Sequence, residues 1–531
     1  MRRAAIGLLL ATSAITAAPA ADKTATLIIR GGSIYDGSSQ TPVIGDVAVD
    51  GDRIVYVGPA KGDPYTGARV IDAKGMIVAP GFIDPHTHSD AFLLGDSAEK
   101  KLVLPWLRQG VTTVFTGSDG AGQNGKSDVG GYLARLDAAP IGPNVITYVG
   151  YGAVRRAVLH DDARAPTPDE LAAEKALVAK GMCEGALGLS TGLFYAPQSF
   201  SKTDEVIAVS KEAAIRGGVY DTHQRDEGTA YTVGLIGSMQ EVIQIGREAH
   251  MPVHFSHLKA GGVEWQGKAP QMIALIDQAR RDGIDVTASQ YPYDASQTGL
   301  SALNLPRWAL DGGQAALAQR AADPATREKI KVDMRRFIAV RGGPHTQMVI
   351  VPGQPWSGKR LDEIADGMKV EPAEAALRII LDTHGSASVI SFNMAQSDVK
   401  LLMQQPWMMT GSDGSAGHPR MYGTFAEKYA RYVVADKTIS LADFINSSTG
   451  RTADFFRLDG RGHLVSGAFA DVVVFDPATY RARSTYTAPT EFAQGVRTLL
   501  VNGVLAIDQG QVTGKGAGRA LRHVPTPGTC S

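Results

Sequence analysis

Cysteine is almost absent from this chain, with Cys183 and Cys530 the only two in 531 residues. Two thiols permit one disulfide at most, which excludes a disulfide-built scaffold and leaves stability to a buried core. Cys183 sits in "KGMCEGALGLS", at the end of a helical pattern, and reads as a packing residue. Charge of one sign is equally scarce. The formal net charge is −1 and no Lys/Arg cluster occurs, so the electrostatic footprint of a nucleic-acid or polyanion binder is missing. The one apolar stretch near the start is too short to span a membrane unaided.

That stretch belongs to "MRRAAIGLLLATSAITAAPA", with a basic start, a short apolar centre and small residues at Ala18-Pro19-Ala20. This is the layout of a secretory signal peptide, residues 1–20, cleaved after Ala20. The expectation is a secreted or periplasmic mature protein, without membrane attachment once the signal is removed. Arg2-Arg3 is too bare to indicate the twin-arginine route.

Glycine is plentiful, with 60 residues, as suits many tight strand-to-loop junctions. Residues 21–80 read as short strands broken by Asp-Gly and Gly-Gly turns, and residues 466–531 have the same character in "GAFADVVVFDP" and "VRTLLVNGVLAIDQGQV". Two β segments bracketing a long middle predict one small β-domain built from both chain ends. Residues 81–465 alternate strand-like runs with helical patterns. The runs are the one before His86, then "GVTTVFTG", "NVITYVG", "GALGLST", "GVYDTH", "MPVHFSH", "IDVTASQYPY" and "WMMTGSD". Eight such runs have the rhythm of an α/β fold of the TIM-like (β/α)8 barrel class. A segment around 297–350 breaks the rhythm and reads as an inserted lid or subdomain.

Five of the twelve histidines follow strand-like runs: His86, His88, His223, His257 and, in a loop, His418. His86 and His88 in "GFIDPHTHSD" are two residues apart, so on extended backbone both rings point the same way and can share a metal ion. Alone, an HxH pair is weak evidence. Company strengthens it, because "YDTHQRDE" and "HFSHLKAGG" end other runs in histidine and "MMTGSDGS" ends one in Asp413. Polar residues gathered at strand ends are what a barrel mouth needs. His254 is out of step with His257 and reads as structural.

The motifs "APGFIDPHTHSD", "EGALGLSTGLFYAP", "SHLKAGG", "YPYDAS", "TGSDGSAGHPRMYGTF" and "GAFADVVVFDP" together resemble the N-acyl-D-amino-acid deacylases, or D-aminoacylases, of the metal-dependent amidohydrolase superfamily. The resemblance runs from about residue 24 to about 510. It implies a distorted (β/α)8 barrel beside a β-sandwich, one or two Zn²⁺ ions at the barrel mouth, and a small-molecule N-acyl amino acid as substrate. The implied ligands are His86, His88, His223, His257 and Asp413. Where the family carries a bridging cysteine, this chain has Asp119 in Gly117-Ser118-Asp119-Gly120, a carboxylate that can serve as a harder zinc donor or shape a Ser-Asp-Gly turn. Glu184 is an alternative carboxylate. Tyr151 stands where a histidine is expected and Ser289 where an aspartate is, so substrate preference is expected to differ.

In such a site a bound Zn²⁺ lowers the pKa of its water to about 7 and polarises the amide carbonyl. Asp413 is the candidate that takes the water proton and returns it to the leaving amine. A free carboxylate on the substrate calls for a cation. Arg420, whose planar fork suits a carboxylate, and Lys259 are the candidates, with Tyr195 as a hydroxyl partner and Arg225 behind them. His418 is either a partner that orients a ligand or the cap of its loop. The rival readings are a dipeptidase or cyclic-amide hydrolase on the same scaffold, and a binding protein that has lost its metal.

Overall fold

The structure is a computed structural model that describes residues 23–59, 65–228 and 233–530, so the signal-peptide reading of residues 1–20 falls outside it. Eight strands run parallel around one axis: Phe82–Asp84, Val111–Thr116, Asn144–Thr147 continuing as Val149–Gly150, Gly188–Gly192, Val219–His223, Val253–Phe255, Val286–Gln290 and Met408–Thr410. All eight runs anticipated from the sequence are strands. Nearly every residue in them is buried, as expected for parallel strands covered by helices on the outer face. Helix formation between them follows local chemistry. Over Pro168–Cys183, Thr167 accepts from the Glu170 N–H and Glu170 returns to the Thr167 N–H, a capping box with proline at the first turn.

The strands form two parallel arcs that meet at the interruption of the third strand at Tyr148. Between the first and eighth strands the seam lies just past the strand ends. There Asp413 N–H donates to His86 O at 2.9 Å, and Thr87 and Gly414 form a parallel bridge. Asp84 ties the seam from below, accepting from Ser412 N–H at 2.9 Å and from Trp106 Nε1–H at 2.8 Å. Burial pushes its carboxyl up to about 6.

Beside the barrel lies a nine-stranded sheet with strands from both chain ends. Ile77–Pro80 pairs on one side with Leu27–Ile34 and on the other with Val472–Phe475. The last residues leave this sheet and cross the N-terminal end of the barrel. Leu521 N–H donates to Val145 O, His523 N–H to Gly185 O, and Cys530 is disulfide-bonded to Cys183, 347 positions earlier. Cys183 is thus a covalent clamp and not the packing residue expected. A helical pattern shows where a thiol sits, but not that the far end of the chain returns to it.

The inserted unit has its own core, around Leu300, Leu317, Met334, Leu361 and Leu377. It also has its own antiparallel sheet of Ser296–Gly299, Ser388–Ser391 and Gln347–Ile350. The unit therefore continues well past residue 350, where the sequence reading ended it. The returning strand Ser388–Ser391 pairs with both others and is short and unremarkable in composition. Among the described residues no helix is long and apolar enough to cross a membrane.

The disulfide closes a very long loop, so Cys183→Ser should lower unfolding stability by about 2–4 kcal/mol. Calorimetry measures the loss, and limited proteolysis should then cut the freed tail first. Unchanged stability and protection would show that the tail holds without its clamp.

Candidate metal centre

Six side chains converge where the strands end. His86 and His88 follow the first strand, Asp119 the second and Asp413 the eighth, while His223 ends the fifth and His257 follows the sixth. They form two groups that share Asp119: His86, His88, Asp119 and Asp413 on one side, and Asp119, His223 and His257 on the other. In the first group His86 Nε2 is 3.4 Å from Asp119 Oδ1, and His88 Nε2 is 3.1 Å from Asp413 Oδ1. In the second, His223 Nδ1 and His257 Nε2 are 3.0 Å apart, and His257 Nε2 is 3.5 Å from Asp119 Oδ1. Two donors on one tetrahedral zinc, at 2.0–2.1 Å each, stand about 3.3 Å apart. The spacing therefore fits a shared ion in each group. The unmet bonding capacity fits as well, because His86 Nε2 and Asp119 Oδ1 are buried without a hydrogen-bond partner.

Three of the six sit in left-handed backbone: Asp119 at φ 56°, His257 at φ 38° and Asp413 at φ 48°. Such conformations cost energy in non-glycine residues and gather at functional sites. The surroundings enforce them. Gln198 donates to Asp119 O at 2.9 Å and accepts from Gly192 N–H at 2.7 Å, and a Cβ on Gly120 would lie 2.1 Å from Gln198 Oε1. His257 N–H donates to Ser289 Oγ at 3.1 Å. Burial favours the neutral carboxyl of Asp119, but His86, His257 and His223 outweigh it and hold the group well below the usual range. Asp413 behaves alike, with Arg420 the largest influence against burial.

A cavity of about 420 Å³ opens onto His88, Asp119 and Asp413, with Tyr195 and Arg420 in its wall. That is an ordinary volume for a small-molecule site. Arg420 is fully buried. Its Nη1 is ion-paired with Asp413 Oδ2 at 2.7 Å, and its Nε has no hydrogen-bond partner. Nη2 donates to Gln297 O and Ser415 Oγ. Tyr195 Oη lies 3.4 Å from His223 Nδ1 and accepts from Thr298 Oγ1 of the inserted sheet.

Other candidates lie elsewhere. Lys259 does not line the cavity; its ammonium is on Glu227 at 2.6 Å and 2.8 Å from His257 Nδ1. Arg225 grips Glu241 with both Nε and Nη2 at 2.8 Å, away from the mouth. Glu184 accepts from Gly130 N–H and pairs with Lys180, so it is no ligand. Tyr151 is turned outward onto Glu205 and Ser201, and Ser289 supports His257, so neither departure reaches the cavity wall. His418 is a cap: its Nδ1 accepts from Arg420 N–H at 3.0 Å and its Nε2 faces Ala295 O at 3.1 Å. His254 bonds Thr287 below the site. Sequence reasoning missed Glu227, Gln198 and Asp84. Of these only Glu227, four residues after His223 in "THQRDE", left a local trace.

Because Asp119 belongs to both groups, Asp119→Ala should reduce bound metal per chain while far-UV circular dichroism stays unchanged. Elemental analysis reads the first quantity, and undiminished metal would remove Asp119 from the donor set.

The amidohydrolase family model matches residues 69–264 and 268–507. The chain is 34% identical to a D-aminoacylase of Alcaligenes xylosoxydans xylosoxydans, over 93% of this chain and 97% of that protein. It is 33% identical to an N-acyl-D-aspartate deacylase of the same organism, over 90% and 91%. A solved D-aminoacylase structure superposes with a TM-score of 0.79 at 32% identity, covering 94% of this chain and all of that one. An N-acyl-D-glutamate deacylase from Bordetella bronchiseptica, solved with zinc and a phosphonate inhibitor, gives 0.79 at 30% over the same shares. The chain belongs to the D-aminoacylase family of metal-dependent amidohydrolases.

Proposed function

We propose that this protein is an exported, zinc-dependent hydrolase that cleaves N-acyl-amino acids of D configuration into a carboxylate and the free amino acid. The observation that carries it is the cavity that joins the candidate metal-binding carboxylates to Arg420, whose buried Nε has no hydrogen-bond partner and whose Nη1 is paired with Asp413 Oδ2. A buried guanidinium with an open donor is suited to a substrate carboxylate. The relatives support the rest, since D-aminoacylase and two N-acyl-D-amino-acid deacylases lie at 31–34% identity. Export is supported by the leader-like start and by the Cys183–Cys530 bridge, a bond that persists in oxidising compartments.

His86, His88, Asp119 and Asp413, and Asp119 with His223 and His257, would hold the metal. When bound, a divalent cation supplies Lewis-acid activation of water and of the amide carbonyl. The chain's own residues do the remaining work. Asp413, kept ionised against its burial, accepts the proton of the attacking water on its carboxylate and returns it to the leaving amine. Arg420 holds the substrate carboxylate with Nε and with Nη1, which it shares with Asp413 Oδ2, while Gln297 O and Ser415 fix its other nitrogen. Tyr195, between His223 and Thr298, closes one side of the bound substrate.

A screen of paired N-acetyl-D- and N-acetyl-L-amino acids with added Zn²⁺ should show turnover of the D series; preference for L would overturn the stereochemical reading. Asp413→Asn should fold normally and lose about 10²–10⁴-fold in kcat. Arg420→Lys keeps a cation beside Asp413 but loses the fork. It should lower kcat/KM for acyl amino acids more than for the matching carboxyl-free amides, and an equal loss would refute the carboxylate clamp. Sequencing of the mature secreted chain should begin at Ala21.

A further inference from the structure

The second metal group poses a problem of ring orientation. A neutral imidazole carries one N–H and one lone pair, and only the lone pair can face a cation. His223 turns Nδ1 toward Asp119 and His257, whereas His257 turns Nε2. The two rings therefore use opposite nitrogens, and the proton must sit on Nε2 in one and on Nδ1 in the other. Both of those far nitrogens meet the same side chain. His257 Nδ1 is 3.3 Å from Glu227 Oε1, and His223 Nε2, which has no hydrogen-bond partner, faces Glu227 Oε2 at 3.8 Å.

We propose that Glu227 is the positioning residue of the His223–His257 half of the centre, one carboxylate facing the far nitrogens of both rings and so favouring the nitrogen each presents to the metal. The proposal rests on the metal-centre reading above. Glu227 is suited to the task because it is itself fixed. Its side chain is largely buried, its backbone carbonyl accepts from Gly261 N–H at 2.6 Å, and Lys259 Nζ lies 2.6 Å from Oε1. An acceptor is required there, and a carboxylate offers one oxygen to each ring. Lys259 adds a consequence. Its Nζ is 2.8 Å from the same His257 Nδ1, so it is a rival donor to that nitrogen. While Glu227 is a carboxylate, its Oε1 holds the ammonium at 2.6 Å and stands 3.3 Å from His257 Nδ1, so it offers the ring N–H an acceptor once Nε2 is given to a metal. With a neutral amide in its place, Lys259 donates to Nδ1, and the ring proton moves to Nε2, the face turned toward the metal.

The test is metal titration of the metal-stripped full-length protein with Zn²⁺ by calorimetry, and with Co²⁺ by its visible spectrum, for the unaltered chain, Glu227→Gln and Glu227→Asp. Interactions of this kind with metal-bound histidine change affinity by about 10–100-fold. Glu227→Gln should weaken one equivalent by that factor, alter the corresponding Co²⁺ bands, and leave the equivalent held by His86, His88 and Asp413 in place. Glu227→Asp, a shorter carboxylate, should recover part of the loss. Nitrogen-15 chemical shifts of the metal-free histidines should show the His257 proton moved to Nε2 in Glu227→Gln only. Wild-type affinity for every equivalent in Glu227→Gln, or equal loss of all equivalents in both variants, overturns the proposal. If Glu227→Gln does not fold, Glu227→Asp decides alone, by weakening that one equivalent or failing to. An unaltered protein that binds no metal overturns the centre itself, which separates that failure from failure of the Glu227 assignment.

Discussion

Asp119 is buried, and its Oδ1 lies 3.4 Å from His86 Nε2 and 3.5 Å from His257 Nε2 with no hydrogen-bond partner of its own. An ionised carboxylate taken out of water is costly unless positive charge or a cation meets it. The imidazoles that meet it come from the ends of the first, fifth and sixth strands, so those ends must lie at one level around one axis. A parallel barrel satisfies that demand, because its strands all finish on the same face. The left-handed backbone at Asp119, His257 and Asp413 follows from the same demand, since each chain must turn sharply at the rim to bring its side chain back over the axis.

The rest of the fold keeps that rim rigid. Asp84 and the His86–Asp413 backbone bond close the seam beneath the donors, at the place where no strand ladder runs. Above, the inserted unit is joined to the site by Gln297 and Thr298, which hold Arg420 and Tyr195. Below, the C-terminal tail crosses the opposite end and is bonded to Cys183, so the two ends of the barrel are covered by distant parts of the chain. A site built from rim loops needs this support, because its geometry is only as exact as the elements that carry it.

Legibility of the sequence varied with how local each signal was. The strand runs could be read because a buried parallel strand is a short apolar run between turns, whatever it later pairs with. His86 and His88 could be read as a pair because two residues of extended chain place both rings on one side. Glu184 and Arg225 show the limit. Each is the right residue type near the right motif, but Gly130, 54 positions from Glu184, and Glu241, 16 positions from Arg225, claim them. Tyr151 and Ser289 mark the same limit, since a departure from an expected residue does not reveal which way the side chain turns.

Composition and period by themselves determined the barrel rhythm, the β segments at both ends and the histidines and Asp413 that end strand runs, because these depend on neighbours within a few positions, whereas Asp119 was marked as a ligand only by the family resemblance. Only the tertiary structure decided that Asp119 stands between two groups of histidines, that Lys259 serves Glu227, that Gln297 holds Arg420, and that Cys530 returns to Cys183. Each of these joins residues tens to hundreds of positions apart, and whether such groups meet is settled by how the whole chain closes.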